Sequence, residues 1–538
     1  MKYLRPGLVY LGLTGLILGP LLLPGYVLSL DLVWGPHLPH VDWSSNTALL
    51  VAFINFLGVV LPSWVIEKLV LITIFMLAGT GLWRLAELRY GGWPAYVSGG
   101  LYMVNPYTYE RLMAGQWLVL GGYALLPWVV AAAVKLLARP GWKRALELAV
   151  WAAALGIVSL HSLAMGSLIV LILVITHAWG RGWGAFRPAL PWLGGAALLW
   201  VVLAGLWFLP LITHHSSTAR LLASFDSAQF QAFRTSAGPV GVPLNTLALQ
   251  GFWGERTGIV LPASTTGIWF WVAALVILAT IITGAVLALR RRDRLALTLG
   301  VSALIAWILA MGIAWGPVAG LTRWLVSALP FYQGYREPGK WLAILALTYA
   351  YLVAGGLQFL RERLRGFWKV AAIVSSAAFI YMWIPVMAWG AAGQLTSRDY
   401  PAGWYELNTR LNRLPASRSP DVAVLPWHEY IELNFAGRPV ASPADGFFDR
   451  AVISSNDPEL PGVPPVSSTS LASSVQNNVI NRRFFSDNAG SRLHALGVHY
   501  VVLLKLSDWK TYDWVSQQSD LVLVADTPDW QLYQVAGN

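Results

Sequence analysis

Residues 190–212 read LPWLGGAALLWVVLAGLWFLPLI, a run without one ionisable side chain. As a helix this stretch is about 35 Å long, enough to cross a hydrocarbon core about 30 Å thick. A helix that is apolar all round belongs in a bilayer or at the centre of a large soluble protein, and composition decides between the two. Of the 538 residues, 56% are hydrophobic and 12% charged, against about 25% charged in soluble domains. So few charges cannot clothe a soluble surface, and lipid must solvate most of it. The 29 Trp and 20 Tyr fit the same picture, because both rings favour the membrane–water interface.

Working outward, apolar segments of similar character lie near 7–30, 63–83, 92–104, 116–137, 145–160, 163–180, 267–289, 295–314, 339–360 and 368–390. With 190–212 they predict a polytopic α-helical membrane protein of about eleven transmembrane helices. Gly7 to Leu30 carries no signal-peptidase pattern and is expected to remain as an anchor. Lys and Arg gather at Lys2 and Arg5, Arg84 and Arg89, Lys135 to Arg144, Arg290 to Arg294, and Arg361 to Lys369. They are sparser in the longer alternate loops 31–62, 213–266 and 315–338. That bias predicts an N-terminus inside, a cell-membrane location, and everything after about 391 on the extracytoplasmic side. The segment 47–61 is apolar but short, and is read as a helix lying at or re-entering the outer interface.

From Thr396 onward Ser, Asp, Asn and Pro rise, and short apolar runs such as Val422 to Leu425 and Tyr500 to Leu504 appear between turn residues. The expected division is a transmembrane domain over 1–395 and an extracytoplasmic C-terminal α/β domain over 396–538. The stretch 455–478 is read as a long loop. The net charge of +11 comes as short clusters between apolar runs, so no nucleic-acid partner is expected. The absence of Cys excludes disulfides, thiolate nucleophiles and Cys metal sites.

The acidic and basic candidates for chemistry fall in the loops assigned to the outer side. LSLDLVWGPHLPHVDW supplies Asp31, His37, His40 and Asp42. Asp31 is expected directly after the first helix, where a carboxylate suits a general base; the bland alternative is a polar helix terminus meeting water. Asp42 in DWSSN reads more simply as a loop or N-cap residue. His37 and His40 have HxxH spacing without a nearby helix, and no metal site is expected there. In VNPYTYERLMAGQW, Asn105-Pro106 ends one helix, which puts Tyr109, Glu110 and Arg111 at the turn into the next. A Glu110–Arg111 ion pair anchoring the hairpin is the plain reading of the latter two. In ALPFYQGYREPGKW, Arg336 and Lys340 stand where the inside rule disfavours cations. Arg offers a planar fork for phosphate, with snorkelling to headgroups as the alternative. His161 and Ser162, His214 and His215, and Asp226, Arg234, Glu255 and Arg256 are lesser candidates, read chiefly as turn residues.

Many spans, an acidic first outer loop and an outer C-terminal domain together resemble the GT-C class of membrane glycosyltransferases. NPYTYERLMAGQ, FYQGYREPGKW and the closing ALGVHYVVLL and DTPDWQLYQV are similar to the arabinofuranosyltransferase-like and lipoteichoic-acid-glycosylating members. The resemblance implies inverting transfer of a sugar from a polyprenyl-phosphate donor to an extracytoplasmic glycan or lipid-linked acceptor. It implies Asp31 as catalytic base and Arg336, with Lys340, as the donor-phosphate group. Asp42, His37, Tyr109, Glu110, Arg111 and His161 are then possible substrate-binding residues, and membrane lipids are further partners. Many relatives pair acids in the first loop, whereas Leu32 and Val33 follow Asp31 here; no cofactor is expected, and a divalent cation is not indicated. The rival readings are a flippase for lipid-linked sugar, weakened by the lack of an internal repeat, and an envelope-binding scaffold. The aromatics Trp404, Tyr405, Trp427, Tyr430, Trp509, Tyr512, Trp514 and Trp530 are read either as a sugar-stacking surface or as the C-terminal domain's own core.

Overall fold

The computed structural model describes residues 4–213, 215–223, 225, 227–329, 331–415, 420–457, 459, 471–483 and 488–536. Among them, nine helices are long and apolar enough to cross a membrane: Leu4–Leu22, Ser63–Glu87, Trp117–Ala138, Leu160–Gly180, Arg187–Ile212, Ile268–Arg290, Arg294–Ala314, Pro338–Arg363 and Gly366–Trp383. Two of the eleven expected spans fall short. Trp93–Met103 has 11 residues and is only about 16 Å long, because Asn105 before Pro106 is held in an extended conformation. Trp142–Val158 has 17 and stops where Ser159 becomes the N-cap of the next helix. The first helix also ends earlier than expected, at Leu22. Pro24 cannot continue it, and Gly25 takes a φ of +98°. Asp31 therefore lies well beyond the helix rather than directly after it. The apolar segment after Asn46 is a helix, Ala48–Gly58, too short to span.

The described chain forms two compact units. The first comprises Met1–Gly19, His40–Phe53 and Leu69–Gln394. Its central helix, Leu342–Arg363, is buried along most of its length and packs against Ile268–Arg290, Arg294–Met311 and Trp93–Met103. The approach to Ile268–Arg290 depends on two glycines. A Cβ at Gly284 would meet the Leu352 carbonyl oxygen at 1.9 Å, and one at Gly356 the Thr280 carbonyl oxygen at 2.3 Å. Small residues at such crossings let helix backbones close in where lipid offers no hydrophobic drive. By contrast, Gly366–Trp383 buries only Trp383.

The second unit comprises Pro20–Pro39, Ile54–Lys68 and Leu395–Asn538, so it takes in most of the first loop besides the C-terminal residues. Strand β1 (Tyr26–Val27) pairs antiparallel with β2 (Ser397–Arg398). Next come β3 (Val422–Leu425), β4 (Tyr430–Leu433), β5 (Arg438–Ala441), β6 (Val452–Ile453), β7 (Tyr500–Leu504), β8 (Leu521–Asp526) and β9 (Trp530–Val535). A five-stranded sheet has the order β6-β3-β7-β9-β8, and β4-β5 form a separate hairpin. β3 runs parallel to β6 and β7, while β9 is antiparallel to β7 and β8. The two runs read as strands are thus neighbours, buried at every position as parallel strands require.

One expectation is corrected here, and one pair of alternatives is decided for four of the aromatics. Leu471–Asn478, inside the expected long loop, is a helix; its Val475 packs in the core with Leu425 and Val501. Trp404, Trp427, Trp514 and Trp530 are buried, with Trp427 and Trp514 in that same core. They fill the domain rather than offer a sugar-stacking face.

Residues 25–37 are pinned within this unit at several points. Lys68 Nζ donates to the Gly25 carbonyl at 2.6 Å, and the Val27 amide donates to Glu67 Oε2 at 3.0 Å. Ala441 N donates to Leu30 O at 2.8 Å, Tyr400 Oη to Trp34 O at 2.8 Å, and His37 N to Gly446 O at 3.0 Å. Gly35 permits the closest approach, since a Cβ there would stand 2.1 Å from the Gly446 oxygen.

Candidate active site

In the first unit, the two motifs singled out in the sequence meet. Asn105 caps the helix Pro106–Met113 reciprocally: its side chain accepts from Thr108 N, and Thr108 Oγ1 accepts from Asn105 N, both at 3.2 Å. Pro106 sits at the first helical position, where its missing N–H costs nothing. Gly115, at φ +67°, closes the far end. Every residue of this short helix is buried, Tyr109, Glu110 and Arg111 included.

Arg111 does not pair with Glu110 as expected. Its Nη1 donates to Glu337 Oε2 at 3.1 Å and to Gln116 Oε1 at 2.6 Å, and its guanidinium lies over the rings of Phe252 and Tyr107. Gln116 Nε2 donates to Glu337 Oε2 at 3.1 Å as well. The sequence reading missed both partners, although each lies inside a quoted motif. Glu110 turns instead toward the backbone, accepting from Phe252 N at 3.3 Å. Burial, and next the neighbouring Glu255, push its carboxyl well above the ordinary range and favour the protonated form. Glu255 itself accepts from Gly251 N at 2.6 Å and from Asn245 Nδ2 at 3.1 Å.

The second motif folds as two short 3₁₀ turns, Tyr332–Arg336 and Pro338–Trp341, with Phe331 in the left-handed region at φ +65°. This path sets three cations around Glu337. Lys340 Nζ is 3.5 Å from Glu337 Oε1, and Arg111 is on the other oxygen. Burial alone would raise the Glu337 carboxyl, but the charges of Lys340, Arg111 and Arg336 overcome it and hold it down at about 2. The Arg336 guanidinium stands 4.0 Å over Phe225 and 4.5 Å over Phe233 and donates to Gln229 Oε1 at 2.6 Å. Two rings and an amide thereby orient a planar fork. His161 Nε2 bonds the Gly334 carbonyl at 2.7 Å; a carbonyl only accepts, so Nε2 carries the proton. Lys340 Nζ lies 3.5 Å from the same ring nitrogen. His161, Arg111, Arg336 and Lys340 are thus brought together around one ionised carboxylate.

Asp42, in the same unit, accepts from Ser44 N at 2.9 Å, Ser44 Oγ at 2.7 Å and Ser217 Oγ. The hydroxyls of Ser217 and Ser44 hold it below the usual carboxylate range, which is the loop-residue reading. His214 and Asp226 lie outside the described residues.

In the second unit, Asp31 is exposed in the tight turn Ser29–Leu32 and accepts a hydrogen bond from Tyr430 Oη at 2.9 Å. His37 Nε2 lies 2.8 Å from Asp449 Oδ1, which ties the loop to the domain. Tyr430 was read only as one of several aromatics; its partner lies 399 positions away, and no local pattern signals it.

No family model matches the chain, and no curated protein matches either. Solved structures do. The arabinofuranosyltransferase AftD from Mycobacteria superposes with a TM-score of 0.60 at 15% identity, over 99% of this chain. The oligosaccharyltransferase of Archaeoglobus fulgidus, without ligand, superposes with a TM-score of 0.50 at 13% identity, over 94% of this chain and 70% of that one. The chain has the GT-C fold. It spans about two fifths of the mycobacterial enzyme, 40% of that chain, so the likeness speaks for the shared architecture.

Proposed function

We propose that this chain is a membrane glycosyltransferase that moves one sugar, with inversion, from a polyprenyl-phosphate donor to an extracytoplasmic glycan or lipid-linked acceptor. The observation that carries this reading is the cluster of Arg111, Arg336 and Lys340 about the ionised Glu337. Cations oriented by buried aromatic, amide and carboxylate contacts suit an anionic phosphate. The GT-C fold supports the same class of chemistry.

In the proposed reaction the acceptor oxygen forms a bond to the anomeric carbon as the bond from that carbon to the phosphate oxygen breaks. The acceptor proton passes to Asp31, and the bonding pair leaves with the phosphate. Negative charge grows on the leaving phosphate in the transition state, where Arg336 and Lys340 act, and cations already in place need no reorganisation to stabilise it. A singly phosphorylated lipid carries less charge than a pyrophosphate, so side-chain cations suffice for it.

The test starts from a deletion strain. Mass spectrometry of its envelope glycans is expected to show one sugar missing, restored by the wild-type gene. Unchanged envelope glycans would contradict the proposal, and accumulation of glycosylated donor on the inner leaflet alone would favour the flippase.

A further inference from the structure

The hairpin β4-β5 does more than cover the first loop. Tyr430 and Ala441 are register partners across it, and both grip the turn that carries Asp31. The Ala441 amide donates to the Leu30 carbonyl at 2.8 Å, fixing the backbone one residue before Asp31. The Tyr430 hydroxyl donates to Asp31 Oδ1 at 2.9 Å, fixing the side chain. Leu30 and Val440 form a parallel bridge beside them, and Arg438, at the other end of β5, donates to Ser29 Oγ at 3.2 Å. The turn closes on itself as well, since Ser29 N donates to Leu32 O at 3.0 Å. A one-residue slip of the hairpin would send Tyr430 to the opposite face and release Asp31.

On this geometry we infer that Tyr430 is a positioning residue for Asp31: the C-terminal unit sets the orientation and protonation of the carboxylate to which the proposed transfer assigns the base. The inference rests on that assignment and adds a second residue to it. A buried structural tyrosine hides its hydroxyl in the core, as Tyr400 does against the Trp34 carbonyl at 3% exposure. Tyr430 instead directs its hydroxyl at Asp31, an exposed acid of the first loop. A phenol O–H donated to a carboxylate stabilises the ionised form and limits the directions in which the oxygen can meet an acceptor hydroxyl. Arg438, which faces the same turn through Ser29, acts in the same electrostatic sense.

The test uses the full chain in membranes of the deletion strain, with the strain's own lipid donors and acceptor, and follows sugar transfer by mass spectrometry across pH. Tyr430→Phe removes the hydroxyl and keeps the ring. Expected is a normal protein level, an unchanged apparent KM for donor, and kcat lowered about 10- to 100-fold, as misplacement of a reacting group costs. The sign for pH follows from the bond: without the donor, the carboxylate takes up a proton more readily. The acidic limb of the rate therefore moves upward by about 0.5–1 unit, the size of one net hydrogen bond. Glu432→Ala, an exposed residue on the same strand, is expected to leave rate and profile alone. If Asp31→Asn stops transfer while Tyr430→Phe matches wild type in rate and pH profile, the positioning role is wrong and the base assignment stands. A slow Tyr430→Phe enzyme with an unmoved acidic limb would also overturn it. If Asp31→Asn itself transfers normally, the base assignment falls first.

Discussion

Asp31→Asn is expected to lower sugar transfer by about 10²- to 10⁴-fold, the usual contribution of a positioned general base, while the protein level and donor binding stay as in wild type. The substitution isolates the chemistry. An Asn carbonyl oxygen still accepts from Tyr430 Oη, which donates to Asp31 Oδ1 at 2.9 Å in the native chain. The turn Ser29–Leu32, closed by its own backbone and by Ala441, does not depend on the charge. What the amide cannot do is take the acceptor's proton. Transfer by Asp31→Asn at more than about a third of the wild-type rate, measured in membranes containing the native donor, would remove Asp31 from the mechanism.

Arg111→Ala is expected to cost the fold about 3–5 kcal/mol, the penalty for stripping one partner from a buried ion pair, and this from a total stability of about 5–15 kcal/mol. Arg111 is 1% exposed, and its loss removes the bonds to Glu337 and Gln116 as well as the packing over Phe252 and Tyr107. Arg111→Lys restores charge without the fork and should recover only part of the loss. The ion pair has a pH signature. Glu337 is held at about 2, far below an unfolded carboxylate. Its contribution is complete above the unfolded value near 4.5 and fades as pH falls toward about 2. Thermal denaturation of purified protein in detergent checks both points. An Arg111→Ala melting curve that overlays wild type would contradict them.

How much of this was legible in the sequence depends on the distance over which each signal acts. Most spans could be read because a bilayer demands an unbroken apolar run, a local property that 190–212 shows without ambiguity. The first helix was read too long because Leu21 to Leu23, Val27, Leu28 and Leu30 are all apolar. Pro24 and the positive φ of Gly25 outweigh that hydrophobicity, and β1 pairs with β2 from the far end of the chain. The runs Val422 to Leu425 and Tyr500 to Leu504 were legible as strands, but their adjacency was not. Arg111 and Arg336 stood out because charge near a membrane is costly. Glu337 was passed over because the partner that makes it matter, Arg111, is 226 positions away. The C-terminal tryptophans were ambiguous for a similar reason: a ring that stacks on sugar and one that fills a core have the same sequence, and only burial separates them.

The central claim, that Arg336 with Lys340 holds the donor phosphate, is tested most directly by the binding of undecaprenyl phosphate. Wild type and Arg336→Gln would be titrated with it by native mass spectrometry of the detergent-solubilised protein, with melting temperatures taken on the same samples. Loss of a charged hydrogen-bonding fork is expected to weaken binding about 10- to 100-fold at an unchanged melting temperature, with Lys340→Met weakening it further in the double variant. Equal affinity of wild type and Arg336→Gln for undecaprenyl phosphate would contradict the account.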